Sequence, residues 1–66
     1  MYHTVKYTKV AYLVLNAVGE EVARYSFDRT DFHGSRRKAY REALEDAALR
    51  DEADVQATVR ALMMAA

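Results

Sequence analysis

The chain has no cysteine and no proline, and only two glycines punctuate its 66 residues. Without cysteine there is no disulfide and no thiolate metal site, and the composition fits a reducing compartment, so a cytoplasmic location is expected. Histidine is nearly as scarce. His3 and His33 alone do not supply the three or four spaced ligands that a zinc site needs, so no metal or cofactor is expected. Long apolar runs are missing too: the longest, Val10 to Leu15, is six residues against the roughly 20 that span a bilayer. The opening MYHTVKYTKV lacks the apolar core and cleavage site of a secretory signal, and Met1 is expected to start the mature chain. With no proline-rich or glycine-rich stretch there is no linker, and residues 1–66 read as a single domain. A domain of this size buries only about 60% of the surface its unfolded chain exposes, so its stability margin is thin.

What is present alternates first and then becomes helical. Val5 to Leu15 is rich in valine and tyrosine and reads as a strand with both faces partly covered. Asn16-Ala17-Val18-Gly19 supplies turn chemistry. From Glu21 to Asp28 the alternation is clean, with Ala23, Tyr25 and Phe27 toward a core and Val22, Arg24 and Ser26 away from it. Residues 4–28 are therefore expected to form an antiparallel hairpin. Asp31 or Ser35 can cap a helix over about 32–50, in which Ala39, Tyr40, Ala43, Leu44, Ala47 and Ala48 make one apolar stripe. Leu44 and Phe27 are both expected to be buried, against each other or near neighbours. Lys38 with Glu42 and Arg41 with Glu45 stand at i,i+4 spacing.

Residues 54–64 carry two patterns. Val55, Ala57, Val59, Ala61 and Met63 alternate with Gln56, Thr58 and Arg60 as in a half-buried strand, while Val55, Val59, Leu62, Met63 and Ala66 fit a helical stripe. A lone hairpin is a poor surface for a helix to cover, which favours a third strand. The expected fold is α+β, a ββαβ arrangement, with a second helix or a continuation of the first as the alternative.

Charge is balanced overall, ten bases against ten acids, but segregated. Arg29, Arg36, Arg37, Lys38 and Arg41 face one acid, Asp31, in their segment; after Arg41 there are six acids and two arginines. Cations at a helix start oppose the macrodipole by roughly 0.3–1 kcal/mol each, which suggests that they serve a contact. Asp31, His33 and Ser35 lie close in sequence, but triads are assembled from distant segments around a substrate cleft. They read as helix-entry residues, and no enzyme activity is expected.

The five tyrosines all fall in the first forty residues, and tyrosine and arginine are enriched where interfaces concentrate binding energy. A protein partner, a larger host or cellular complex, is therefore expected at Arg29, Arg36, Arg37, Lys38, Arg41 and Tyr7. Whichever set of β-strand residues faces the helix, Val10, Tyr12 and Val14 or Ala11, Leu13 and Leu15, the other leaves an apolar patch, and with it a homo-oligomer is expected. The alternative is a nucleic-acid-binding or transcription-regulatory protein, with HGSRRKAYR tracking phosphates and Tyr40 and Phe32 offering stacking faces. In format the chain resembles the small non-enzymatic proteins that bacteriophages make against host machinery, including host RNA polymerase inhibitors and anti-CRISPR proteins. That resemblance implies action by occupying a surface of a larger protein, and it assigns no residue.

Overall fold

The computed structural model describes residues 2–28 and 30–65, with Phe32 as backbone only. Three strands precede one long helix: β1 (Thr4–Tyr7), β2 (Ala11–Leu15), β3 (Glu21–Ser26) and α1 (Phe32–Ala65). The strands form an antiparallel meander in the order β1-β2-β3. The fold is thus α+β, but it is βββα, and both departures from the expected ββαβ have local causes.

The first is a turn that glycine and proline do not mark. Val5 to Leu15 is two strands, not one, because Thr8 closes a turn with its own side chain. Its Oγ1 donates to the Ala11 carbonyl at 2.8 Å and accepts from the Ala11 amide at 3.0 Å, while its amide donates to the same carbonyl at 2.9 Å. A hydroxyl used this way mimics a backbone turn. The second departure is at residues 54–64, which continue α1 rather than form a third strand. Nothing after Gly34 stops the helix, since no glycine or proline follows, and Ala, Leu and Met favour helix by intrinsic propensity. The sheet already has its third strand at the N-terminus.

The turn between β2 and β3 follows its composition. Asn16 Oδ1 accepts from the amides of Val18 and Glu20 at 3.1 and 2.9 Å, and Gly19 takes the positive φ of 86°. Beyond it the register slips: Val14 pairs with Ala23 but Leu15 with Glu21, so Val22 is the extra residue of a bulge. That is why Val22, expected to point away, packs partly on the core.

The helix starts at Phe32, with Asp31 before it. A Cβ on Gly34 would stand 3.0 Å from both carboxylate oxygens of Asp31, so the glycine leaves room for that carboxylate at the helix entry. The α1 face on the sheet is narrower than expected. Ala39, Ala43 and Ala47 are buried against Tyr12, Val14 and Phe27, whereas Tyr40 and Leu44 are 46% and 45% exposed. Phe27 is buried as expected but Leu44 is not: small side chains at i, i+4, i+8 let the helix lie close, and the larger ones are displaced to its flank. The far face of the sheet is also less bare than expected. Leu13 lies between Lys6 and Arg24, and Leu15 between Thr4 and Glu21, whose stems and polar heads border it. Both leucines are partly buried. The exposed apolar side chains gather instead on the last turns of α1, at Val55, Val59, Leu62, Met63 and Met64.

Candidate functional site

Where the start of α1 passes the tip of the β1–β2 hairpin, Tyr7, Tyr12, His33, Arg36, Arg37 and Tyr40 line an open cleft of about 580 Å³. Each is placed by a different constraint. Tyr7 ends β1 and faces Tyr12 across the ladder, their ring centroids 5.4 Å apart. Tyr12 is the buried floor, packed on Phe27 at 5.8 Å and Tyr40 at 5.0 Å. Tyr7 also stacks on Phe27 at 6.3 Å with the ring planes 8° apart. Tyr7 and Tyr40 each remain about half exposed, at 48% and 46%, and offer aromatic surface to a ligand.

The cation of the site is fixed in advance. Arg36 lies with its guanidinium carbon 5.1 Å from the centroid of the Tyr7 ring, and its Nε donates to the Tyr12 hydroxyl at 3.1 Å. That hydrogen bond stabilises the charged form and raises the Arg36 pKa above its already high value. A guanidinium held by a ring face and a hydroxyl has lost much of its rotamer freedom before a ligand arrives, which lowers the cost of binding an anion.

Of the residues singled out from sequence, Tyr7, Arg36 and Arg37 come together here. Lys38 and Arg41 do not line the cleft; both are exposed on α1, because successive helix residues turn by about 100° and spread a basic run around the axis. Neither closes an ion pair with Glu42 or Glu45 among the described residues. Arg29 lies outside the described residues. Tyr12, His33 and Tyr40 complete the cleft; the sequence points to Tyr40, and to His33 within HGSRRKAYR, only for the nucleic-acid alternative, and to Tyr12 for neither partner. Tyr40 read as core because it falls on the apolar stripe, and only the close seat of the alanines turns it outward. His33 read as a helix-entry residue, and it enters the cleft one turn before Arg37. Ser35 is committed elsewhere: its Oγ accepts from the Asp28 amide at 2.8 Å and sits 2.7 Å from the Asp31 carbonyl, tying β3 to the helix start.

A second polar cluster lies at the other end of the contact between sheet and helix. Tyr25 donates its hydroxyl to Asp46, and Arg50 Nε donates to the same carboxylate at 2.5 Å. Burial pushes the Asp46 carboxyl up, but these two donors and the Arg50 charge outweigh it and hold the pKa below the usual carboxylate range. The Tyr25 phenol is correspondingly pushed up, first by its bond to Asp46. Beyond it, His3 is buried and bonds Asp51 through its ring Nδ1. That bond is the main reason the Asp51 carboxyl lies below its ordinary value.

No helix is long and apolar enough to cross a membrane among the described residues. Comparison with protein-family models, with curated proteins and with solved structures finds no match to this chain.

Proposed function

We propose that the chain is a small non-enzymatic protein-binding module that occupies an acidic surface of a larger protein or complex through the cleft of Tyr7, Tyr40, Arg36 and Arg37. The observation that carries this reading is the held guanidinium of Arg36 between exposed tyrosines. Aromatic rings with an anchored arginine at their centre are the composition of interface hot spots. Such occupation is the mode of action of the phage-encoded inhibitors that the chain resembles in format.

A protein surface is favoured over nucleic acid by the distribution of charge. A phosphate backbone needs a continuous track of cations. Here Lys38 and Arg41 lie outside the cleft, and Asp46, Asp51, Glu52 and Asp54 follow along the same helix. A compact acidic patch can meet Arg36 and Arg37 without approaching those carboxylates. The expected homo-oligomer has its support in Val55, Val59, Leu62 and Met63, which form an exposed apolar run on the last turns of α1.

The test compares wild type with Arg37→Glu and Tyr7→Ala, first as baits in a host lysate and then against a fluorescent single-stranded oligonucleotide. A protein captured by wild type and lost with both variants, with no oligonucleotide binding at physiological salt, supports the reading. Oligonucleotide binding that weakens steeply with salt and disappears in the same variants would replace it with the nucleic-acid alternative.

A further inference from the structure

Just ahead of β1, His3 is buried while two carboxylates one helical turn apart on α1 come to it. Its Nδ1 lies 2.7 Å from Asp51 Oδ1 and 3.8 Å from Asp54 Oδ2. One ligand atom from each residue falls within 4.8 Å of the other two. The His3 amide also donates to Asp51 Oδ1 at 2.8 Å, so main chain as well as side chain is registered against the helix. Side chains held in this way by packing and backbone are the condition for a defined ligand set.

Among the described residues no arginine or lysine balances the two carboxylates of the cluster. Arg50, the nearest base on α1, is engaged by Asp46. Two carboxylates facing one imidazole carry the charge that a dication neutralises. The donor set also selects the kind of dication. One imidazole nitrogen with two carboxylate oxygens suits zinc, which takes both donors at about 2.0–2.2 Å, whereas magnesium and calcium favour all-oxygen shells of six or more ligands. The Asp54 side chain is 54% exposed. It borders with His3, Tyr2, Asn16 and Val18 an open cleft of about 350 Å³, which admits water to the remaining coordination positions.

We propose that His3, Asp51 and Asp54 form a binding site for a divalent cation of the zinc type, with solvent completing its coordination. The cation would take the place of the His3–Asp51 hydrogen bond and add Asp54. The bound ion ties residues 48 apart in sequence and clamps the entry of β1 to the last turn of α1 that meets the sheet, in a domain that has no disulfide to do so.

Zinc chloride is titrated calorimetrically into tag-free, chelator-treated protein near neutral pH, and melting is followed with zinc or magnesium. The parent should bind one zinc per chain and melt several degrees higher with zinc but not with magnesium. Asp54→Asn, at an exposed position that leaves the His3–Asp51 bond intact, should fold as the parent does and weaken zinc binding by at least about ten-fold. His33→Asn should bind as the parent does. Absence of zinc binding in the parent, binding undiminished in Asp54→Asn, or binding abolished in His33→Asn each overturns the site.

Discussion

Ala43 has no solvent exposure where α1 crosses the sheet, while its neighbour Leu44 is 45% exposed. The usual ranking of a leucine above an alanine as a core residue is thereby reversed. Ala43→Leu should cost about 1–3 kcal/mol in urea unfolding, because the added branches meet Tyr12 and Val14 at a seat built for a methyl group. Leu44→Ala should cost less than about 1 kcal/mol, a flank position rather than a core one. Equal losses would contradict this packing. Alternation identified Phe27 as core, since period two leaves one assignment per strand face. The helix stripe was ambiguous: Ala39, Ala43 and Ala47 run beside Tyr40, Leu44 and Ala48, and which row seats on the sheet depends on how closely the backbones approach. Charged residues at this scale also predict an acid limit. The Asp46 pKa is depressed in the folded chain, while the unfolded value is near 3.9. Its contribution is therefore complete above the unfolded value and is lost as pH falls through the folded one. Asp46→Asn should melt below the parent at neutral pH, with the two curves converging as pH drops below about 4. Parallel melting curves across that range would show that Tyr25 and Arg50 do not hold this carboxylate.

At the level of elements, α1 is two different objects joined end to end. Up to Asp51 it is partly buried on the sheet; every described residue from Glu52 onward is exposed. Those 14 residues, 52–65, extend about 21 Å, and an isolated helix of that length is marginal in water. Amide hydrogen exchange should therefore find strong protection at Ala43 and Ala47 and a steep fall after Asp51 in dilute protein. Protection at Val59 equal to that at Ala43 would mean that something covers the tail. The two-sided pattern of residues 54–64 has its explanation here. Val55, Thr58 and Val59 signalled a strand, but the sheet takes its third strand from the N-terminal segment, and with no glycine or proline to stop it α1 continues through these residues. The hidden turn at Thr8 is the complementary case: a hydroxyl did the work usually assigned to glycine or proline, leaving only Lys6, Thr8 and Lys9 to interrupt the apolar run.

The whole molecule measures 55 × 19 × 13 Å, with the basic aromatic cleft near the start of α1 and the exposed apolar turns at its other end. Half of the cleft was visible in the sequence as a basic cluster with tyrosines. The other half, Tyr12, His33 and Tyr40, required the hairpin tip to be placed against the helix, and that contact joins segments over 20 residues apart. Apolar side chains on an unsupported tail should drive concentration-dependent association in sedimentation equilibrium at micromolar protein, weakened by Val59→Glu. A parent that stays monomeric over that range would remove the support for a homo-oligomer.

A single unbroken helix joining two chemically different ends also acts as a ruler with a phase. Each residue added between Asp51 and Val55 moves the apolar end about 1.5 Å outward and turns it about 100° relative to the cleft, and seven residues nearly restore the original azimuth two turns further out. A target that touches both ends would thus read the length of α1 as an angle as well as a distance, and a one-residue deletion would disturb it more than a seven-residue insertion.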